Sequence, residues 1–113
     1  MRRLRILIAE DDAMVGMLLA ELLDEIGHEV CAITTTELAT VSAAAQHQPD
    51  MLILDVGLGS GSGLSALTAI LQLRPIPHII MSGAAVMFPG SILRKPFREA
   101  DLVRAIDFAM PDL

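Results

Sequence analysis

The sequence predicts an α/β fold: a five-stranded parallel sheet with helices on both faces. Three observations carry this. Short aliphatic runs alternate along the chain with segments whose apolar residues recur every three or four positions. Most of these segments stop at glycine, proline or clustered acids, which punctuate strands and helices. Hydrophobic residues make up 53% of the chain and charged residues 19%, enough apolar surface to cover a sheet buried on both sides. At 113 residues the chain is sized for one domain, 1–113, with no output module appended.

The elements follow in order. Leu4–Ala9 is aliphatic and β-branched, a buried strand that breaks off at Glu10-Asp11-Asp12. Met14, Val15, Leu18, Leu19, Leu22, Leu23 and Ile26 then keep helical spacing, with Asp12 placed as N-cap and Gly27 as the stop. Glu29–Ile33 reads as the second strand. Thr36 to about His47 reads as the second helix, carrying Leu38, Val41 and Ala45 and closed by Pro49. Met51–Leu54 is a third buried strand ending at Asp55, followed by the glycine-rich stretch Gly57–Gly63. Leu64, Leu67, Ile70 and Leu71 mark a third helix that Pro75 ends. Pro77–Met81 and Ser91–Arg94 are the fourth and fifth strands. Leu102, Val103, Ile106 and Ala109 are the inner stripe of a last helix ended by Pro111.

Only nine residues, Ser82–Gly90, separate the last two strands, and they include Gly83, Pro89 and Gly90. A crossover between parallel strands usually takes a dozen or more residues, so the helix expected there is short or absent. Right-handed crossovers in a five-stranded sheet favour the flavodoxin-like strand order 2-1-3-4-5.

Composition excludes several functions. The net charge is −6, and nucleic-acid binding calls for a basic face. The apolar runs are a handful of residues, against about 20 for a membrane-spanning helix. Acids at Glu10-Asp11-Asp12 interrupt the first run too early for a secretory signal. A cytoplasmic protein is expected. Cys31 is the lone cysteine, which excludes an internal disulfide and fits a reducing compartment; it reads most simply as a core residue. His28, His47 and His78 lie in separate elements and make no metal set. The seven methionines read as core fillers first.

Open α/β sheets bind ligands at the carboxyl ends of their strands. This chain places Glu10, Asp11 and Asp12 after the first strand, Asp55 after the third, Ser82 after the fourth and Lys95 after the fifth. Strands one, three, four and five are neighbours in the expected order, so these groups can converge. Clustered carboxylates need a cation, and hard oxygen donors select Mg²⁺ or a similar ion. Acids with one hydroxyl and one lysine suit a phosphoryl group, whose transfer depends on positioning and charge neutralisation. Asp55, ending the central strand, is the best nucleophile. The glycine run Gly57–Gly63 satisfies neither G-x-G-x-x-G nor a P-loop; it reads as a flexible loop beside the acceptor.

Four segments carry a family resemblance: Ile6-Leu7-Ile8-Ala9-Glu10-Asp11-Asp12, Met51-Leu52-Ile53-Leu54-Asp55, Ile79-Ile80-Met81-Ser82-Gly83 and Leu93-Arg94-Lys95-Pro96-Phe97. In this order and spacing the chain resembles a response-regulator receiver domain, the phosphoacceptor half of bacterial two-component signalling. The resemblance implies that Asp55 is the phosphoacceptor. It implies that Asp11 binds Mg²⁺ directly, Glu10 through water, and Gly57 through its backbone carbonyl. Ser82 falls at the hydroxyl that moves toward the phosphoryl group. Lys95 falls at the lysine that pairs with phosphoryl or Asp55 oxygens, and Lys95–Pro96 at a peptide bond that is cis in this family. Asp12 is left to cap the helix.

The chain departs from the family at Gly59, where a proline is usual, and at Ile92, where the aromatic switch residue is usual. It is similar to a stand-alone subgroup with a glycine-rich loop and a shortened fourth helix. The implied function is a single-domain response regulator that accepts phosphate from a histidine kinase or histidine phosphotransferase. Its output runs through contacts with an unidentified downstream protein, by a monomer or weak dimer. The exposed face around Arg98, Glu99 and Asp101 is a candidate contact region. Two rivals stand beside it: a receiver-like interaction module that works without phosphate, and a small Mg²⁺-dependent phosphohydrolase.

Overall fold

The computed structural model describes residues 2–112. The chain forms β1 (Arg5–Ala9), α1 (Ala13–Glu25), β2 (Glu29–Thr34), α2 (Glu37–His47), β3 (Met51–Asp55), α3 (Gly63–Leu73), β4 (His78–Ser82), β5 (Ser91–Arg94) and α4 (Glu99–Ala109). The sheet runs β2-β1-β3-β4-β5 with every neighbouring pair parallel. This is the expected flavodoxin-like order. Several boundaries shift by a residue or two: β1 starts at Arg5, and β4 runs from His78 to Ser82.

β3 is buried along its whole length. Its side chains alternate between two cores because successive residues of a strand point to opposite faces. Met51 and Ile53 join Leu19, Leu23, Leu102 and Ile106 under α1 and α4. Leu52 and Leu54 join Ala43, Ala44, Leu67 and Ile70 under α2 and α3. This double burial explains why the strands read as unbroken aliphatic runs rather than alternating ones.

Side-chain caps fix where the helices start. Asp12 Oδ1 accepts from the Met14 N–H at 2.9 Å, Thr36 Oγ1 from Ala39 at 3.1 Å and Ser62 Oγ from Ser65 at 3.1 Å. α1 stops before Gly27, whose φ of 96° only glycine adopts readily.

Among the described residues, no helix forms between β4 and β5. Phe88 substitutes for one. It packs against the second core, edge-on to His78 with ring centroids 5.9 Å apart. Ile92 shares a sheet face with its neighbour Ile80, which is fully buried. Without a helix above it, Ile92 stays 36% exposed.

Several sequence expectations change. Val103, placed on the inner stripe of the last helix, is exposed, as is Leu38 of α2; the buried stripe of α4 is Leu102, Ala105 and Ile106. Met51 and Met81 are core residues, but Met14, Met17 and Met87 are exposed. Helical spacing marks a stripe without fixing its width, and Met14 and Met17 fall outside it. Cys31 is half-buried on the edge strand, its thiol donating to the Ile6 carbonyl at 3.5 Å. His28 is buried, and its Nδ1 accepts from the Leu4 N–H at 3.0 Å. Its Nε2 has no partner, and burial holds the imidazole below the ordinary histidine value.

Candidate functional site

Parallel pairing puts the strand ends level. Ala9 sits beside Leu54, Asp55 beside Met81 and Ser82 beside Arg94. The residues that follow these ends therefore meet at one edge. Glu10, Asp11 and Asp55 bring carboxylate oxygens within 4.8 Å of one another. Glu10 and Asp55 are buried, and Asp11 is exposed.

Lys95 arrives from β5 and bridges the two buried acids, its Nζ bonded to Glu10 Oε1 and Asp55 Oδ2. The other carboxylate oxygens are also satisfied. Glu10 Oε2 accepts from the Asp12 N–H at 3.0 Å, and Asp55 Oδ1 from the Gly57 N–H at 3.1 Å. Asp12 thus both caps α1 and orients Glu10. Burial lifts the Glu10 carboxyl above the usual carboxylate range, against the opposing bonds from Lys95 and the Asp12 N–H. Burial pulls the Lys95 ammonium down, but its bonds to Asp55 and Glu10 outweigh this and hold it above the ordinary lysine value.

Three carboxylates against one ammonium leave a local charge of about −2. A divalent cation with hard oxygen preference fits both the charge and the donor set. Ser82 is buried at the same edge, and its backbone carbonyl accepts from the Lys95 N–H at 2.8 Å. The Lys95–Pro96 bond is cis.

Residues 6–89 match the family described as the response regulator receiver domain. The chain belongs to the response-regulator receiver family. The transcriptional regulatory protein PdtaR of Mycobacterium tuberculosis is 33% identical over 94% of this chain, which covers 56% of that protein. The phyllosphere-induced regulator PhyR of Methylorubrum extorquens is 29% identical over 93% of the chain, which covers 43% of it. The chain therefore spans about half the length of these curated relatives. Among solved structures, the receiver domain of PhyR from Erythrobacter litoralis superposes with a TM-score of 0.88 at 24% identity, covering 97% of this chain and 92% of that one. PhyR from Brucella abortus gives 0.85 at 27% identity, covering 96% of this chain and 47% of that one. The first of these shows the shared receiver fold.

This receiver carries its departures on the two sides of Asp55. On the β4 side, the Ser82 hydroxyl is engaged within its own turn. It donates to the Ala84 carbonyl at 2.7 Å and accepts from the Ala84 N–H at 3.1 Å. Ile92 lies on the edge strand and lines an open groove of about 500 Å³ with Arg94, Arg104 and Phe108.

On the α3 side, the glycine-rich loop is anchored, contrary to the flexible loop expected from its composition. Leu58 is buried at 7% exposure, and Gly57 bridges Ser62 in antiparallel fashion. Gly63 is required, because a Cβ there would overlap the Asp55 carbonyl oxygen. Gly59 is not: a Cβ would stand 3.6 Å from Asp11 Oδ2, an ordinary contact. Sequence reasoning missed Glu37, which accepts from the Ser62 N–H at 3.0 Å. No local signal marks it, since its partner is 25 residues away.

A receiver is a signalling domain. Among the described residues, no helix is long and apolar enough to cross a membrane.

Proposed function

We propose that this receiver accepts a phosphoryl group on Asp55 from the phosphohistidine of a histidine kinase or histidine phosphotransferase. The observation that carries the reading is Lys95 bridging Glu10 and Asp55 with the Asp11 carboxylate alongside. An Asp55 carboxylate oxygen attacks phosphorus. The new P–O bond replaces the donor's P–N bond, whose electrons return to the imidazole nitrogen. Lys95 donates to the anionic oxygens as the acyl phosphate forms, and water later hydrolyses it.

Glu10, Asp11, Asp55 and the Gly57 carbonyl would hold Mg²⁺. When bound, that ion offsets the repulsion between the acids and the incoming phosphoryl oxygens. The receiver acts in the cytoplasm and signals through contacts with a downstream protein.

A second reading, an interaction module independent of phosphate, draws on the Ser82 hydroxyl already being satisfied by Ala84. Intact mass after incubation with a small phosphodonor and with a histidine kinase separates the two. One Mg²⁺-dependent phosphoryl adduct is expected, lost in Asp55→Asn. No adduct from either donor, with partner binding unchanged in Asp55→Asn, would favour the second reading.

A further inference from the structure

The loop after Asp55 is tied to α2, outside the acidic cluster. Glu37 holds it twice. Its Oε1 accepts from the Ser62 N–H at 3.0 Å, and its own N–H donates to the Ser60 carbonyl at 3.3 Å. Gly61 lies between these two contacts with a φ of 99°, and a Cβ there would run into the Glu37 side chain. The tip can close around Glu37 because it carries no side chain at that point.

From Ser62 the constraint runs back to the acceptor. Ser62 bridges Gly57, Gly63 N–H donates to the Val56 carbonyl at 3.0 Å, and Gly57 N–H donates to Asp55 Oδ1 at 3.1 Å. The other limb passes near Asp11: a Cβ at Gly59 would stand 3.6 Å from Asp11 Oδ2.

We infer that Glu37 is a positioning residue: by clasping the loop Gly57–Ser62, it fixes where the Gly57 backbone meets a cation held by Glu10, Asp11 and Asp55. The cation half rests on the phosphoacceptor reading above; the clasp does not. A segment with glycine at 57, 59 and 61 has many backbone states open to it. A backbone carbonyl is a good ligand only if those states are already narrowed. A side-chain oxygen long enough to reach the Ser62 N–H from α2 narrows them. Contacts behind a metal site fix its ligands in the same way.

The test uses the full chain, with Mg²⁺ binding by calorimetry and amide hydrogen exchange over residues 57–62 read without metal. Glu37→Gln keeps the acceptor and loses the charge. Glu37→Asp keeps the charge and loses the reach. Glu37→Gln is expected to bind Mg²⁺ within about twofold of wild type. Glu37→Asp and Glu37→Ala are expected to weaken it about tenfold, the lower end of the effect of outer contacts on metal sites, and to speed exchange at Ser62. Gly61→Ala, which displaces the Glu37 side chain, should do the same.

The opposite order, with Glu37→Asp like wild type and Glu37→Gln weakened, would show that only the charge matters and would overturn the inference. So would equal affinity and exchange in all variants. A wild type that binds no Mg²⁺ would instead overturn the cation half and the phosphoacceptor reading together, while the exchange difference would still report the clasp.

Discussion

Two loops flank Asp55, and both look alike in sequence. Gly57–Ser62 and Gly83–Gly90 are rich in small residues and follow strand ends at the same edge of the sheet. Their anchoring differs. The first buries Leu58, bridges Gly57 to Ser62 and is held by Glu37. The second leaves Ala84, Ala85 and Met87 exposed and is held by the Ser82–Ala84 turn at one end and Phe88 at the other. Glycine content therefore sets which conformations a loop can reach, and long-range contacts decide whether it stays in one of them.

The largest test of this contrast is the same substitution on each side. Gly63→Ala, at the end of the first loop, drives a Cβ into the Asp55 backbone and should cost about 3 kcal/mol in denaturant unfolding. Gly83→Ala, with nothing near its Cβ, should stay within about 0.5 kcal/mol. Equal effects would break the comparison. Leu58→Ala empties a buried site and should cost about 2 kcal/mol, near the bottom of the range for such truncations. Met87→Ala, at a fully exposed position, should change the midpoint very little.

One effect of acidification lies far from both loops. His28 lies at the opposite end of the sheet, beside Leu4, and its native pKa is lowered by burial. The unfolded chain takes up a proton near pH 6.5 while the native chain does not. The His28 contribution to stability is therefore complete above that pH and falls as pH drops toward the native value. The slope is at most about 1.4 kcal/mol per pH unit. Unfolding curves of wild type and His28→Gln between pH 7 and about 5 should diverge by this contribution, while both loops keep their relative order of exchange.

The smallest effect is local. Ser82→Ala removes both bonds to Ala84, which should speed exchange across Gly83–Met87 by about tenfold and leave Gly57–Ser62 unchanged.

Much of this arrangement is legible in the sequence, for a physical reason. Buried parallel strands need aliphatic runs, so Met51–Leu54 and Ile79–Met81 announce themselves, and the acids and lysine just past such runs must meet at one edge. The brevity of Ser82–Gly90 is enough by itself to rule out a full helix there. Contacts between distant elements left no such trace. Glu37 reads as an ordinary first-turn acid, Met14 and Met17 read as core, and His28 reads as one of three scattered histidines. Each depends on which neighbour the fold brings within reach, and periodicity does not encode that.

The missing helix between β4 and β5 also has a mechanical consequence. A helix behaves as a rod: pushing or turning one end moves the other. An irregular strand of backbone behaves as a cord, carrying tension but not thrust or torque. Phe88, seated on the second core against His78, ties off that cord. The direct tie between β4 and β5 is the strand pairing itself, Ser82 beside Arg94 with the Ser82 carbonyl accepting from the Lys95 N–H. In this receiver the two last strands are therefore coupled by their pairing and not by the segment that joins them.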